Sequence, residues 1–444
     1  MTDFGKYSVE QGVGIIEIDY PPVNALSAEV RGFIHDGVAR FRADPAVAAI
    51  ILICAGRTFS VGADIREFGQ VIRRPYLHEE VFEGIVTCPK PVIAAIHGMA
   101  LGGGYELAMA CHYRIATPSA QVGLPEVRLG IPPGTGGTQM LPRLIGVEAA
   151  LEIICSGTSV RADKALELGM IDTLAAEGRL REDAIASARR IVAEGKPLPV
   201  VRTREDKVAP ARGHPEIYEN FLARNAEKFR GFKAYPAIVD SVRSAAELPF
   251  DEGYAVEQRW SGALIASPDF AAQQYYFFAE RTAAKGAGLE ALLAKDDGSV
   301  LGRLTACLTA QARRVVAQGA TPQQVRQALY DYGFPASMLV DDLPDMSPGM
   351  SLASGISHDL ISQLLYPLTN EGALMREEGV AQRASDIDVA AIKGLCWPVY
   401  RGGPMFGADQ TGLATIVSAL RAMGIEPASS LTEKAEAGER LAAD

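Results

Sequence analysis

The sequence predicts an α/β domain built on parallel strands, followed by an all-helical region. Three observations lead to this prediction. Strand-like and helix-like segments alternate about every 40 residues as far as about residue 190, which is typical of a layered α/β domain. Beyond that point strand patterns stop and helical patterns follow one another. In the last third of the chain a helical pattern recurs, which indicates a duplicated unit.

Hydrophobic patterning locates the amino-terminal strands. Val13–Asp19 alternates apolar and polar residues and predicts a half-buried strand, whereas the continuous apolar run Ala48–Cys54 predicts a strand covered on both faces. Shorter runs at Pro91–Ile96 and Tyr113–Ala116 predict two further strands. Helices are expected between these strands at Ala28–Arg42 and Tyr105–Cys111.

The middle of the chain has helical patterns only. Helices are expected at Arg181–Ala193, Glu216–Phe229, Tyr235–Ala246 and Phe270–Ala284. The proline-rich stretch from Pro197 to Pro210 predicts a loop, and Lys285–Ser299 predicts a linker.

The last third contains a sequence repeat. LTAQARRVVAQG (308–319) is followed by LTNEGALMREEG (368–379). Each copy precedes a second helical stretch that ends at an aromatic residue and a proline, Phe334-Pro335 in the first copy and Trp397-Pro398 in the second. A duplicated helical unit explains both features. Chance similarity over a short segment is the alternative.

Composition narrows the functional class. Of the 444 residues, 48% are hydrophobic and 22% are charged, as in globular proteins. The net charge of −11 argues against a nucleic-acid surface. The six cysteines lie far apart without a CxxC pair, so reduced thiols are expected rather than disulfides or a metal site. No signal peptide, membrane span or lipidation motif is recognisable, and a cytoplasmic location is expected.

The densest chemical signal is a run of glycines. Gly102, Gly103 and Gly104 precede a predicted helix, where glycines permit a sharp turn and a close approach of the backbone to a ligand. The N–H groups at a helix start also suit a developing oxyanion. A tight turn without a ligand is one alternative. Phosphate binding is another, although neither GxxxxGK[ST] nor a complete GxGxxG is present.

Two carboxylates lie near these glycines. Glu106 is in the first turn of the apolar helix, and Glu126 follows Pro125 ahead of a second Gly- and Pro-rich segment. Two carboxylates on either side of a substrate can hold a water and move protons. Alternatively, Glu106 complements the helix dipole and Glu126 is a solvated loop residue. Spacing alone leaves both interpretations open.

A third segment, RTFSVGADIREF (57–68), follows the buried strand. Ala63 stands there at a strand-to-helix transition, where its N–H can supply a second donor to an oxyanion. The alternative is that Asp64 merely caps a helix.

Together these segments resemble the crotonase superfamily, the enoyl-CoA hydratases and isomerases. The resemblance rests on FSVGADIREF (59–68), PKPVIAAIHGMALGGGYELAMACHYRIA (89–116) and VGLPEVRLGIPPGTGGTQMLPRLIG (122–146), which keep the family's order. It implies a spiral of ββα turns. It also implies an oxyanion hole in which the N–H groups of Ala63 and Gly103 hold the thioester carbonyl of an acyl-CoA.

The same resemblance assigns roles to the two carboxylates. Glu106 and Glu126 match the family's catalytic glutamates, so Glu106 is expected to activate a water and Glu126 to exchange the proton at the α-carbon. Many isomerases and hydrolases of the superfamily lack one of the two. The presence of both therefore favours a hydratase.

The later part of the chain resembles the type 1 multifunctional β-oxidation enzymes. Segments between 246 and 285 are similar to their linker helix. YGFPASMLVDD (332–342), ASDIDVAAIKGL (384–395) and RGGPMFGADQTG (401–412) are similar to the paired carboxyl-terminal helical domains of 3-hydroxyacyl-CoA dehydrogenases. The nucleotide-binding domain of such enzymes, with its GxGxxG, has no counterpart between linker and repeat. No NAD site and no dehydrogenase activity are therefore expected.

The expected organisation has four segments. A crotonase-like α/β domain spans 1–190 and a helical extension with the linker helix spans 191–299. Two dehydrogenase-like helical units follow at 300–350 and 351–444. The expected activity is hydration of a 2-enoyl-CoA, with Δ3,Δ2-enoyl-CoA isomerisation as a second activity. No metal and no cofactor are expected, since coenzyme A enters as part of the substrate.

Other functions stay open at this point. An isomerase or thioester hydrolase of the same superfamily is one alternative. A non-catalytic acyl-CoA-binding subunit that docks a thiolase or a separate dehydrogenase is another, although two glutamates and two oxyanion positions argue against it. The linker helix favours a monomer, with a trimer as the alternative.

Overall fold

The computed structural model of the chain describes residues 4–64, 67, 73–285, 288–336 and 358–443. The chain divides into two compact units, Met1–Ala266 and Ser267–Asp444. Parts of two motifs, at 65–66, 68 and 337–342, lie outside the described residues, as does the expected boundary at 350.

Two sheets form the framework of the first unit. The strands are β1 Gly5–Glu10, β2 Val13–Ile18, β3 Ala49–Cys54, β4 Val92–Ile96, β5 Met99–Leu101, β6 Tyr113–Ala116, β7 Gln121–Gly123, β8 Val160–Arg161 and β9 Thr173–Leu174. The larger sheet has the order β1-β2-β3-β4-β6-β9 and is parallel except for the β1–β2 pair. The smaller has the order β5-β7-β8. β4 and β5, and then β6 and β7, lie one in each sheet, and a helix follows each pair, which confirms the predicted ββα spiral.

The buried strands follow directly from the sequence. Every residue of β3 and of β4 is buried, because parallel strands with helices on both faces expose neither side. β1 and β2 form a hairpin whose two turn residues, Gln11 and Gly12, have φ of 51° and 77°. Such positive values match the twist of a tight hairpin turn.

Helices cover the sheets of the first unit. They are α1 Ala28–Ala43, α2 Glu83–Val86, α3 Gly103–Ala110, α4 Gly137–Ile145, α5 Val147–Ser156, α6 Ala162–Leu168, α7 Leu180–Glu194, α8 Pro215–Arg224, α9 Ala226–Phe229, α10 Ala234–Glu247 and α11 Phe250–Ile265. A π-helical turn, Leu77–Phe82, leads into α2. The side chain of Ser27 caps α1 by accepting from the Val30 N–H.

The last two helices of this unit pack next to the Gly-rich segment. α10 contacts α4, α5 and α11, and α11 contacts α4. The first unit therefore runs well beyond residue 190 and ends at Ala266. The expected four-segment division stays a prediction.

The second unit is helical throughout the residues that the structure describes. Its helices are α12 Pro268–Lys285, α13 Leu289–Leu292, α14 Val300–Ala317, α15 Pro322–Tyr332, α16 His358–Glu377, α17 Ala384–Gly394, α18 Gly403–Thr411, α19 Leu413–Ala422 and α20 Ser429–Ala437. The all-helical region that the sequence predicts is confirmed.

The repeat corresponds to two helix pairs, α14–α15 and α16–α17. The first helices of the pairs pack against each other. Leu308 in α14 and Leu368 in α16 occupy corresponding positions of the repeat, and both are buried. The rings of Phe334 and Trp397, which close the two copies, meet edge to face with centroids 5.4 Å apart. Equivalent residues therefore fill one core from two sides.

Among the described residues, none of the helices combines the length and the apolar character needed to cross a lipid bilayer.

Candidate active site

The backbone that follows β3 runs alongside the segment that leads into α3. The Leu101 N–H donates to the Ser60 carbonyl at 2.9 Å. Gly62 has φ of +98°, and an ideal Cβ there would lie 2.9 Å from the Gly103 nitrogen, so a side chain does not fit. An ideal Cβ on Gly103 would lie 3.3 Å from the Ala63 nitrogen. The structure thus brings together the two backbone positions that the sequence predicted as oxyanion donors.

The N–H groups of Ala63 and Gly103 are available to a ligand. In the described part of the chain, neither donates to a protein acceptor. Gly103 is the first residue of α3, where no carbonyl of the helix can accept its proton. Later in the same turn, the Tyr105 and Glu106 N–H groups donate to the Gly102 carbonyl at 2.8 and 2.9 Å. Two adjacent donors at the positive end of a helix can stabilise a developing oxyanion.

Glu106 lies in the first turn of α3 and is only 1% exposed. Its Oε1 atom accepts the Thr135 N–H at 2.9 Å and the Gly137 N–H at 2.8 Å. Burial raises the pKa of Glu106 to about 7, although these two hydrogen bonds favour the ionised form. The carboxyl is therefore tied to the second Gly-rich segment and does more than complement the helix dipole.

Glu126 opens a short 3-10 helix, Glu126–Leu129, that follows β7. Its carboxyl is turned inward: an ideal Cβ on Gly102, where φ is +55°, would lie 2.8 Å from Glu126 Oε1. Among the residues described, no donor reaches the buried Oε2 atom. Burial, and then the negative charges of Glu106 and Glu257, hold the pKa of Glu126 well above its usual range. The alternative of a solvated loop carboxylate does not fit this environment.

A third buried carboxylate, Glu257 on α11, completes the cluster. Its Oε1 accepts the Gly136 N–H at 2.6 Å, and its Oε2 accepts the N–H and the hydroxyl of Thr138 at 2.9 and 2.5 Å. Burial and the charge of Glu106 raise the pKa of Glu257 to about 8.

Sequence reasoning missed Glu257, although a signal was present. The residues of α11 that turn inward recur every three or four positions, and Glu257 is one of them: Phe250, Gly253, Glu257, Ser261 and Leu264. A glutamate on the apolar face of an amphipathic helix is unusual and indicates a buried polar contact.

Aromatic rings line one side of this cluster. His78 stacks on Tyr254 with ring centroids 3.7 Å apart and lies parallel to Phe250 at 6.1 Å. An ideal Cβ on Gly136 would lie 3.7 Å from both His78 and Phe250. Burial lowers the pKa of His78, which favours the neutral ring. The wall beside the carboxylates is therefore aromatic, and its histidine favours the neutral form.

Comparison with known proteins identifies the class to which the first part of the chain belongs. Residues 8–216 match the model of the enoyl-CoA hydratase/isomerase family, and this part of the chain belongs to that family. Within the described residues, no cluster of three or more His, Cys, Asp or Glu side chains is placed to hold a metal ion.

Individual relatives are found among larger proteins. The chain is 45% identical over 277 residues to the peroxisomal bifunctional enzyme of Danio rerio and 39% identical to that of Homo sapiens. Each alignment covers 62% of this chain but only 38% of the relative, so the chain spans well under half of the relatives' length. Among solved structures, carnitinyl-CoA hydratase from Mycobacterium avium is 30% identical, with 51% of this chain and 90% of that one covered and a TM-score of 0.39.

Proposed function

We propose that the first unit adds water across the 2,3 double bond of a 2-enoyl-CoA thioester. One observation carries the proposal: two carboxyls lie next to the turn that presents the Gly103 N–H beside the Ala63 N–H. Glu106 is buried in the first turn of α3, and Glu126 Oε1 lies 2.8 Å from the ideal Cβ position of Gly102. Membership of residues 8–216 in the enoyl-CoA hydratase/isomerase family supports an acyl-CoA as the substrate.

The two N–H groups would bind the thioester carbonyl oxygen. Attack at the β-carbon moves electrons into this carbonyl, so negative charge develops on its oxygen as an enolate. Fixed donors stabilise that charge without reorganisation, and loss of one such donor commonly lowers the rate by about 10²–10³. The close approach of the two donors requires glycine at position 62, where an ideal Cβ would lie 2.9 Å from the Gly103 nitrogen; a Cβ on Gly103 would make a tight contact, 3.3 Å, with the Ala63 nitrogen.

The two carboxyls differ in the way that the reaction requires. Glu106 has two N–H donors on one oxygen, which favours its ionised form, whereas the buried Oε2 of Glu126 has none among the described residues, which favours the neutral acid. Glu106 would take a proton from water as the water oxygen bonds to the β-carbon. Glu126 would give its proton to the α-carbon. Proton exchange with solvent then returns both groups to their starting states.

Isomerisation of a 3-enoyl-CoA is a second activity that the same site supports. It passes through the same enolate and needs the same two N–H donors. It also needs one carboxyl that removes a proton and returns it to another carbon of the acyl chain.

We further propose that the chain uses no cofactor, since coenzyme A enters as part of the substrate. In this view the second unit is a dehydrogenase-derived scaffold without an NAD site, and the chain is a cytoplasmic monomer. Light scattering tests the oligomeric state. Reduction of NAD by the pure protein with a 3-hydroxyacyl-CoA would contradict the absence of a dehydrogenase.

The assigned roles are tested with Glu106→Gln and Glu126→Gln. Each should lower hydration of a 2-enoyl-CoA at least about 10²-fold, because each removes a proton-transfer group and keeps the shape of the side chain. The exposed Glu219→Gln is the matched control and should retain wild-type activity. Product analysis separates the alternatives, since a thioester hydrolase releases the coenzyme A thiol. Full activity in both site variants would contradict the assignment.

A further inference from the structure

Glu257 is a buried carboxylate that the hydration chemistry does not use. It is 0% exposed, and in the described part of the chain no Lys, Arg or His forms an ion pair with it. Burying a carboxylate without a counter-ion, next to two others, is costly. The three hydrogen bonds that it accepts all come from one short segment, Gly136 and Thr138, more than a hundred positions earlier in the chain.

Glu257 and Glu106 hold that segment from opposite directions. Four consecutive backbone N–H groups alternate between the two carboxylates. Those of Thr135 and Gly137 donate to Glu106, and those of Gly136 and Thr138 donate to Glu257. Binding of the Gly136 and Thr138 N–H groups therefore restrains the direction of the neighbouring donors that orient Glu106.

We propose that Glu257 is a positioning residue for the hydration reaction: by binding the Gly136 and Thr138 N–H groups, it aims the Thr135 and Gly137 N–H groups at Glu106. This proposal rests on the proposed function. Glu257 itself transfers no proton, because its two oxygens are occupied by three donors.

At pH values above the pKa of Glu257, about 8, its negative charge gives the proposal a second, electrostatic consequence. That charge contributes to the raised pKa of Glu126. Removing it should lower the pKa of Glu126 and so move the alkaline limit of activity to lower pH, because Glu126 acts as the neutral acid.

The charged and titratable groups around Glu257 come from the elements that pack on α11. They are Glu106 on α3, Glu126 on its 3-10 helix, Tyr254 on α11 itself, Arg143 of α4, which lies over Phe250 of α11, and Asp240 of α10, which accepts from Trp260 of α11.

Three variants of α11 test the proposal. Glu257→Gln keeps the volume but offers one acceptor oxygen in place of two, so at least one backbone donor loses its partner. Glu257→Asp keeps the charge but shortens the side chain. Glu252→Gln removes an exposed carboxylate from the same helix and is the matched control.

The expected results separate position from charge. Glu257→Gln should lower kcat about 10- to 100-fold with KM within about threefold of the wild type, since small displacements of a catalytic group have effects of this size. Its alkaline limit should fall by about half a pH unit or more. Glu257→Asp should lower kcat but keep the wild-type pH profile, and Glu252→Gln should change neither.

The effect of Glu257 on Glu126 can also be tested without measuring catalysis, by titrating Glu126 directly. The infrared C=O stretch of protonated Glu126, identified by its loss in Glu126→Gln, should disappear at lower pH in Glu257→Gln than in the wild type. A folded Glu257→Gln with wild-type kcat and an unshifted titration would overturn the proposal. If Glu257→Gln does not fold, wild-type kcat in Glu257→Asp overturns it. A wild-type protein that hydrates no 2-enoyl-CoA contradicts the proposed function and leaves the infrared test in force.

Discussion

Replacing Glu126 by glutamine should change the way in which the stability of the first unit depends on pH. The Oε2 atom of the Glu126 carboxyl is buried, and no described donor reaches it. Its pKa in the folded protein lies well above the ordinary value of 4.5. The folded chain therefore keeps a proton on this carboxyl at pH values where the unfolded chain has lost it.

The size of the effect follows from this difference in proton binding. Because the folded pKa is raised, the stability contribution is lost as pH rises from about 4.5 towards the folded pKa. Each pH unit in that interval lowers the free energy of unfolding by about 1.4 kcal/mol. The wild type should thus lose stability through this group as pH rises above about 4.5, until the folded pKa of Glu126 is reached. Glutamine does not titrate, so the free energy of unfolding of the variant should lack this pH dependence. Any destabilisation by the amide itself would be the same at every pH.

Urea unfolding at several pH values measures the difference. The chain has two tryptophans, and a Trp397→Phe background leaves Trp260 on α11 as the fluorescent reporter of the first unit. The variant should gain about 1.4 kcal/mol relative to the wild type for each unit of rising pH. The exposed Glu219→Gln serves as the control and should not reproduce this slope. Parallel curves for Glu126→Gln and wild type would mean that Glu126 is ionised when folded, which would refute its role as the acid.

Two further predictions concern other positions. Gly62→Ala should lower kcat about 10²-fold, because its Cβ would press on the Gly103 nitrogen and displace an oxyanion donor. The control is Gly56→Ala: Gly56 has a similar positive φ of 78° but open space around it, so equal losses of kcat in both variants would contradict the steric argument. Asp388→Ala should destabilise the second unit by about 3 kcal/mol, because its buried carboxyl accepts hydrogen bonds from the Met405 and Phe406 N–H groups and from the Tyr275 hydroxyl. Unfolding is followed by Trp397 fluorescence, and unchanged stability would show that these donors find other partners.

Much of the framework could be predicted because burial leaves a pattern in the sequence. β3 and β4 are continuous apolar runs, and the predicted helix at Ala28–Arg42 is observed as Ala28–Ala43. The short strands β5, β7 and β8 were not predicted. They contain only two or three residues each, too few for a hydrophobic period to be visible.

The site was predictable to the same extent. Glycines in the sequence indicated where the backbone donors lie, because Gly62 has a positive φ and its Cβ position is close to the Gly103 nitrogen. The positions of Glu106 and Glu126 followed from the family motifs. Their surroundings did not, because these include Glu257 of α11, which lies far along the chain. Glu257 was missed for the same reason: its partners at 136 and 138 are near it only in the folded protein.

Isotope labelling distinguishes hydration of the double bond from hydrolysis of the thioester. The wild-type protein is incubated with a 2-enoyl-CoA in oxygen-18 water, and in parallel in deuterium oxide, and the products are analysed by mass spectrometry. We expect a 3-hydroxyacyl-CoA with the thioester intact. It should carry the labelled oxygen on its β-carbon in oxygen-18 water and one deuterium on its α-carbon in deuterium oxide. Unchanged substrate, or free coenzyme A with the label in a carboxylic acid, would contradict this expectation.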